Sequence, residues 1–254
     1  KHERAPLESQ QWKTSTHCRP GDIAQTTDRL ICRANNSPHQ FRRRIVTQFL
    51  QLVVSGIAMG CVLGLIALGF TLIYKATETV NFAQGDLMML GGFVALAALT
   101  TFGLPFWMAV IVAVVVLAAF GAGVERIVLR RVLGQPQFAI VMVTIGIGFV
   151  LRGVVSMVPG WGTETYALRA PYSGEVVRVA GLAASAEQLA VIVMTLALCA
   201  ALYGFFRFTR VGVAMQAASQ NQLAAYYMGI PVARVNSIVW AISAAVAAFA
   251  GILL

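Results

Sequence analysis

Long apolar runs recur along this chain and constrain its fold more than any other feature of the sequence. An α-helix needs about 20 apolar residues to cross a hydrocarbon layer of about 30 Å, and most of the runs approach that length. The runs occupy residues 46–73, 87–102, 106–124, 138–158, 188–206 and 235–254. We therefore predict an all-α fold, a polytopic transmembrane helix bundle in a lipid bilayer.

The composition favours a membrane protein over a soluble one. Hydrophobic residues make up 58% of the 254 residues and charged residues 11%, whereas about 25% of the residues in a soluble domain are charged. The net charge of +9 could indicate a nucleic-acid-binding protein, but nine of the 19 basic residues lie in residues 1–45 and most others flank apolar runs. Basic loops beside membrane helices have this distribution, so we expect no nucleic-acid partner.

Arginines in the loops predict the orientation of the chain. Two groups of arginines fall on the same side of the apolar runs, and the positive-inside rule assigns that side to the cytoplasm. These arginines are Arg126, Arg130, Arg131, Arg207, Arg210 and Arg234. The polar segment 159–187 would then lie outside, where it could form a small hairpin. Three full crossings before Arg126 would also place Arg42 to Arg44 outside, against the rule. Either residues 78–102 do not form a simple membrane crossing, or the basic stretch at Arg42 to Arg44 is not a topological signal.

Both ends of the chain differ from the apolar part. Residues 1–45 are polar, lack the apolar stretch of a signal peptide and are expected to form a disordered N-terminal extension. The two cysteines and three histidines of this extension fit no common zinc-finger spacing. At the other end the chain stops inside an apolar run at Leu254. We therefore expect the chain to be truncated, with further helices after this residue.

The stretch ETVNFAQGDLMML places polar groups between two apolar runs. Asn81, Gln84 and Asp86 lie within six residues, and polar groups at membrane depth are unfavourable unless they face protein or a water-filled cavity. One interpretation is a broken helix that lines or gates a translocation route. The candidates for this role are Asn81, Phe82, Gln84, Gly85 and Asp86. The other interpretation is a loop at the membrane surface, in which Asn81 or Asp86 caps the next helix.

A polar, alanine-rich segment, residues 207–234, separates the last two runs on the side assigned to the cytoplasm. Residues 213–228 contain good helix formers, Gly229 suits a helix end, and Pro231 prevents continuation. Alanines keep the surface of this helix flat, and apolar side chains beside them supply contact area for a cytoplasmic motor. The candidate docking residues are Ala217, Leu223, Ala224, Ala225, Met228, Gly229 and Ile230. A helix packed on its own protein would show the same pattern.

Glycines occupy every fourth position in the first run, where a bare helix face lets another helix approach closely. These helix-packing glycines are Gly56, Gly60 and Gly64. A chain that hydrolysed ATP itself would need a Gly-Lys pair in a phosphate-binding loop, and none of the three lysines follows a glycine. No histidine lies beyond residue 39. We therefore expect neither catalytic residues nor a cofactor nor a bound metal.

Two stretches resemble a known family. GLIALGFTLIYKATETVNFAQGDLMMLGGF is similar to the Asn-Phe-Ala-His-Gly region of the LivH-type permeases of branched-chain amino-acid ABC importers, with Gln84 where histidine is common. AAYYMGIPVARVNSIVWAISAAVAAFAGILL is similar to the cytoplasmic loop and following helix of the same family. In that loop an acid precedes two alanines, and Leu223 stands at the acid position. Val213 and Gln216 replace arginines that are frequent in relatives.

The resemblance covers about residues 46–254 and implies a permease subunit of an ATP-driven importer for amino acids, above all branched-chain ones, in the bacterial inner membrane. The implied partners are a paralogous permease subunit, two cytoplasmic ABC ATPases that hydrolyse the ATP, and a periplasmic substrate-binding protein. The helix at 213–229 would couple ATPase motion to the membrane spans. The alternative is an ion- or proton-coupled secondary transporter or channel that uses Asp86 and Glu78 as ion-binding groups.

Overall fold

The structure, a computed structural model, describes residues 38–132, 135–158, 176–179 and 182–254. These residues are mainly helical, as predicted for an all-α bundle. The helices are α1 Pro38–Thr77, α2 Gln84–Thr100, α3 Phe106–Val124, α4 Gln137–Met157, α5 Ala186–Phe208, α6 Arg210–Gln220, α7 Gln222–Tyr227 and α8 Val232–Leu253. A π-helix, Glu125–Leu129, and a single α-helical turn, Arg130–Val132, continue α3 toward α4.

Five helical segments of the described residues are long and apolar enough to cross a membrane, and each coincides with a predicted run. The segments are Val46–Thr77, Phe106–Val132, Gln137–Met157, Ala186–Phe208 and Val232–Leu253. The remaining run forms α2, which has 17 residues and a length of about 25 Å. The chain is therefore a multi-pass membrane protein.

Helix α8 is the centre of the bundle. Of its most apolar 18 residues, 61% are buried, against at most 28% in the other four spans. Its alanines Ala244 and Ala248 are fully buried, and they lie against Gly121 of α3 and Gly91 of α2. Lipid tails are as apolar as leucine, so membrane helices associate through close packing of small residues. The small residues of α8 therefore allow α2 and α3 to pack against it.

One apolar cluster joins the ends of several helices. Its buried members are Ile73, Ala76, Leu129, Ile140, Met215, Val235, Val239 and Trp240. These residues come from the end of α1, the π-helix, the start of α4, α6 and the start of α8. Because the arginines predicted to mark the cytoplasmic side lie in and beside the π-helix, we call this group the cytoplasmic cluster. In the predicted orientation, helix α1 runs toward the cytoplasm, α2 away from it and α3 back.

The two topological alternatives for the first spans stay predictions. Residues 78–102 lead into α2, so three consecutive helices precede Arg126. Helix α2 is, however, shorter than the five helical segments that are long enough to cross a membrane.

The chain divides into two compact units, Lys1–Phe49 and Leu50–Leu254. Of the first unit the structure describes residues 38–49, which are helical. The boundary predicted at residue 45 was therefore wrong for residues 38–45, which were expected to be disordered. Once an apolar run has nucleated a helix, each further residue adds one hydrogen bond at little cost, so the helix extends into the polar stretch. Residues 1–37 lie outside the described residues.

The helix predicted at 213–228 is divided in two by Asn221. This residue is extended, with φ −158° and ψ 104°, and its side-chain oxygen accepts a hydrogen bond from the Ala224 backbone N–H at 2.9 Å. Asparagine favours the N-cap position because its short side chain replaces the missing helical partner. The prediction of one continuous helix was wrong because it counted helix formers and overlooked this cap.

The hairpin predicted in residues 159–187 is confirmed in its second half. Strand β1, Val176–Val179, pairs antiparallel with β2, Leu182–Ser185, whereas residues 159–175 and 180–181 lie outside the described residues. Ser185 then caps α5 by accepting from the Gln188 N–H at 3.4 Å. The two strands therefore lead directly into α5.

Candidate functional site

Helix α1 ends where Glu78 adopts a left-handed backbone conformation. Its φ is 53°, a region that costs a residue with a side chain about 1–2 kcal/mol. After it the chain turns through Asn81, whose side-chain Oδ1 accepts a hydrogen bond from the Ala83 N–H at 3.0 Å. Helix α2 begins at Gln84. Residues 78–83 thus form a tight reversal between two consecutive helices.

The reversal is tied to the middle of the bundle by buried polar groups. Asn81 and Gln84 are fully buried, and Asn81 Nδ2 donates to Gln84 Oε1 at 3.4 Å. Gln84 Nε2 donates to the Ser243 carbonyl oxygen at 3.3 Å. The Ser243 hydroxyl lies 3.1 Å from Gln84 Oε1 and 2.9 Å from the Gly69 carbonyl oxygen. Ser243 is 11 residues beyond the start of α8 at Val232, about 16 Å along the helix axis.

These bonds place Gln84, at the start of α2, beside a residue inside α8, whereas the end of α1 at Ile73 and Ala76 belongs to the cytoplasmic cluster. A broken helix that lines a route, as against a loop at the membrane surface, stays a prediction. The second interpretation expected Asn81 or Asp86 to cap α2, and neither residue occupies its N-cap. Ala83 occupies the N-cap of α2 without any side-chain hydrogen bond, and Asp86 pairs with an arginine. An unsatisfied polar group at membrane depth would cost several kcal/mol. The hydrogen bonds of Asn81 and Gln84 therefore hold α1, α2 and α8 together.

Two of the five route candidates face outward instead. Phe82 is 53% exposed, and its backbone N–H donates to Thr144 Oγ1 of α4 at 3.3 Å. Gly85 is exposed, and a Cβ atom added there would meet no other atom within 4 Å. The reversal therefore has an inner face that carries hydrogen bonds and an outer face that is open in this chain.

Asp86 forms an ion pair with Arg152 of α4. Arg152 Nε donates to Asp86 Oδ1 at 2.6 Å, and the side chains are 65% exposed for Arg152 and 10% for Asp86. One turn before the arginine, Gly148 lies directly against the carboxylate. Sequence reasoning missed Arg152, although the signal was present. An arginine inside an apolar run is unfavourable in lipid and marks a functional position by default.

The last helix of the segment 207–234 ends before Gly229, as predicted. Gly229 has φ 82°, its N–H donates to the Tyr226 carbonyl oxygen at 3.0 Å, and the Ile230 N–H donates to the Ala225 carbonyl oxygen at 3.0 Å. This pair of bonds is the Schellman motif, which closes a helix through a left-handed residue that is usually glycine. Only a residue that tolerates positive φ fits here.

The predicted docking residues divide between two faces. Ala225 is buried and Ile230 packs against the cytoplasmic cluster, so both contact the protein itself. The docking residues that are exposed are Ala217, Ala224, Met228 and Gly229. The side chain of Leu223 lies outside the part that the structure describes. Sequence reasoning also missed Tyr226 and Tyr227, which are 68% and 77% exposed, although two adjacent tyrosines in a cytoplasmic segment are an anchor signal.

A second missed group lies at the π-helix. Glu125 is 1% exposed on its side chain and lies 3.2 Å from Arg130 Nη2. The hydroxyl of Ser237, in the second turn of α8, donates to the same carboxylate. Arg130 also donates to the Ala233 carbonyl oxygen at 3.0 Å and to Ser237 Oγ at 2.9 Å. We call these residues the α3–α8 junction, because they join the end of α3 to the start of α8.

The stripe of packing glycines in α1 has no neighbour among the residues that the structure describes. A Cβ atom added at Gly56, Gly60 or Gly64 would meet no atom of another described residue within 4 Å. Helix packing at this stripe therefore stays a prediction. The described residues also contain no group of three or more His, Cys, Asp or Glu side chains that could hold a metal ion.

Comparison with known proteins decides the family. The model of the family described as "Branched-chain amino acid transport system / permease component" matches residues 52–254. The chain belongs to this permease family. The permease is 31% identical to the high-affinity branched-chain amino acid transport system permease protein LivH of Escherichia coli strain K12, over 81% of this chain and 70% of the relative.

Other relatives show the same likeness. The permease is 31% identical to LivH of Salmonella typhimurium over 81% of this chain and 70% of that protein. It is 27% identical to the corresponding protein BraD of Pseudomonas aeruginosa, over 82% of this chain and 71% of the relative. No solved structure matches the chain significantly. Members of this family are transport subunits, and the permease is one of them.

Proposed function

We propose that this permease is the membrane-spanning subunit of an ATP-driven ABC importer for branched-chain amino acids in a bacterial inner membrane. It would act with a paralogous permease subunit, two cytoplasmic ABC ATPases and a periplasmic substrate-binding protein. The names of its relatives place those proteins in high-affinity branched-chain amino acid transport systems. The observation that supports ATP-driven over gradient-driven transport is the exposed surface of the cytoplasmic segment.

That surface suits a docking partner. Tyr226, Tyr227 and Met228 are all more than two-thirds exposed, and they stand beside the flat surface of exposed alanines. Large apolar and aromatic side chains in such a position are typical anchors of protein interfaces. In the cytoplasm these exposed apolar side chains cannot be explained by contact with lipid. We therefore assign this surface to the ATPase.

The connection from this surface to the spans is short. Only Ile230 and Pro231 separate the Schellman turn from α8, and Ile230 packs against the cytoplasmic cluster. A displacement of α7 would therefore reach the start of α8 and, through the α3–α8 junction, the end of α3. Helix α8 carries Ser243, which holds Gln84, so the same motion would reach the reversal at 78–86. We place the translocation route beside the outer face of this reversal.

The gradient-driven alternative is less well supported. Each of its two candidate ion-binding acids already has a basic neighbour. Asp86 is paired with Arg152, and Glu78 lines a cleft of about 380 Å³ together with Lys75. A coupling ion would have to compete with an arginine at the first acid and with a neighbouring lysine at the second. Both arrangements disfavour a bound cation.

Replacing Gly229 by valine tests the docking assignment. Valine at positive φ costs at least about 1–2 kcal/mol, so the Schellman turn should open and move Tyr226 and Tyr227. We expect leucine uptake by cells that carry the complete transport system to fall about tenfold or more, since 1.4 kcal/mol corresponds to a factor of ten. The amount of permease inserted in the membrane should stay unchanged. Affinity co-purification of the permease should recover the ATPase from wild type and lose it in the variant.

Gly229→Asn is the matched control, because asparagine tolerates the left-handed region. We expect it to retain the ATPase and most of the uptake. Normal uptake in Gly229→Val would contradict the docking assignment at this turn. If no ATPase co-purified with correctly folded wild type, the ATP-driven function itself would be wrong and the gradient-driven alternative would replace it.

A further inference from the structure

The Asp86–Arg152 pair has features that a purely structural ion pair does not need. Arg152 lies five residues before the end of α4 at Met157, about 7.5 Å inside the helix end. Its side chain is 65% exposed. Its Nε is bonded to Asp86, and its two terminal guanidinium nitrogens have no hydrogen-bond partner among the described residues. A guanidinium with unused donors is unfavourable against lipid, so this face should meet water or a ligand.

The carboxylate of Asp86 is held in place from two sides. It stands in the first turn of α2, and its other oxygen, Oδ2, lies against Gly148 so closely that any side chain at position 148 would collide with it. With 10% of its side chain exposed, Asp86 has little freedom to move. It therefore fixes the guanidinium of Arg152 through Nε, and no other described residue occupies the edge formed by Nη1 and Nη2.

The free edge of a guanidinium has a defined chemical preference. Two parallel N–H groups in one plane match the two oxygens of a carboxylate, and such bidentate pairs are stronger and more directional than neutral hydrogen bonds. The residues that precede Asp86 on the same reversal add an exposed aromatic ring at Phe82 and bare backbone at Gly85. The guanidinium edge suits a carboxylate, and the exposed ring of Phe82 suits an apolar side chain.

We propose that Arg152 binds the carboxylate of the transported amino acid as it passes the reversal, and that Asp86 orients the guanidinium for this contact. The inference rests on the proposed function and adds to it a residue that recognises the carboxylate of the substrate. The permease would require a free carboxylate, as in a zwitterionic amino acid, and would not carry a neutral amide at the same rate. Arg152 is a specificity residue and Asp86 is its positioning residue.

The test uses the complete importer, with its ATPases and binding protein, in proteoliposomes that contain ATP. We expect Arg152→Gln to reduce the uptake of radiolabelled leucine about tenfold or more, since it removes a charge-assisted bidentate contact. Arg152→Lys should give an intermediate rate, because lysine keeps the charge but lacks the planar fork. The concentration of binding protein that gives half-maximal uptake should not change, because the lost contact is made after the amino acid leaves that protein.

Two further variants separate substrate binding from a structural role. The exchange of Asp86→Arg with Arg152→Asp keeps an ion pair but places an acid where the carboxylate would bind, so we expect uptake to stay low. Val154→Gln introduces the same side chain at a position that is 54% exposed on the same helix, and it should leave uptake within about twofold of wild type. Assembly of each variant is measured by co-purification of the ATPase.

The outcomes are distinguishable. Recovery of uptake in the exchanged pair would overturn the proposal and leave a structural ion pair, as would wild-type uptake in Arg152→Gln. If Arg152→Gln failed to assemble, Arg152→Lys would decide, because it keeps the charge beside Asp86 and lacks the planar fork, and wild-type uptake in it would overturn the proposal. A wild-type importer that took up no leucine with ATP would instead refute the proposed function and not only the role of Arg152.

Discussion

Arg130→Ala should destabilise the isolated permease by about 3 kcal/mol, near the lower end of the range for breaking a buried ion pair. The carboxylate of Glu125 has a side-chain exposure of 1%, and without Arg130 it would keep only the hydroxyl of Ser237 as a partner. The variant also removes the donor to the Ala233 carbonyl oxygen at the start of α8. The lower end applies because Arg130 is 36% exposed on its side chain, so water can replace part of the interaction.

The measurement is unfolding of the purified permease by SDS in mixed micelles, followed by tryptophan fluorescence. Trp240 is 2% exposed and belongs to the cytoplasmic cluster, so its emission should report the loss of packing. Arg131→Ala is the matched control, because Arg131 is exposed and should cost less than about 0.5 kcal/mol. Equal stabilities for the two alanine variants would contradict the prediction.

A double variant isolates the cause. Glu125→Gln in the Arg130→Ala background removes the buried charge and should recover more than half of the lost stability, because a neutral amide is less costly to bury than a carboxylate. If the double variant were no more stable than Arg130→Ala, the loss would come from the missing bonds to α8 and not from the unpaired charge.

Gly121→Val should separate two helices in the core of the bundle. A Cβ atom at this position would lie 2.6 Å from Ala244 Cβ and 2.7 Å from the Trp240 carbonyl oxygen. Neither atom can rotate away, because one is a methyl group on the backbone and the other is the backbone itself. Helices α3 and α8 would have to separate, and we expect a loss of about 3 kcal/mol, at the upper end for overpacked cores.

Gly123→Val is the matched control for this prediction. It lies two residues further along the same helix, and a Cβ atom there would meet no atom within 4 Å. It should lower stability by less than about 1 kcal/mol, and it should improve slightly the helix propensity of α3 because glycine is the weaker helix former. In the same SDS titration, a Gly121→Val permease as stable as Gly123→Val would show that α3 and α8 do not pack as closely as described.

The predicted spans agree with the observed helices because membrane crossing depends on the hydropathy of a single segment. The runs predicted at 138–158 and 188–206 became Gln137–Met157 and Ala186–Phe208. The helix end at Gly229 was predictable for a similar reason, since a glycine with a proline two residues later is a local signal for the end of a helix. The cap at Asn221 was equally local and could have been read from the sequence.

The polar groups that organise the bundle were harder to interpret. Arg152 stands 66 positions from Asp86, and Arg130 stands 107 positions from Ser237. The positive-inside rule explained Arg130 as a topological charge, and this explanation concealed its bonds to α8. A charge at the end of an apolar run can set the topology or bond to another helix, and only the residues that surround it in the structure show which.

The sequence by itself determined the class of this protein, its membrane spans and the stops between them, because hydropathy and backbone preference are properties of short segments. It also carried the family resemblance that the comparisons confirmed. Only the tertiary structure decided that Gln84, at the start of α2, bonds to Ser243 inside α8, and which polar groups of the reversal are buried. Gln84 and Ser243 are 159 positions apart, and at membrane depth a polar group can be accommodated only by the partners that the neighbouring helices bring to it.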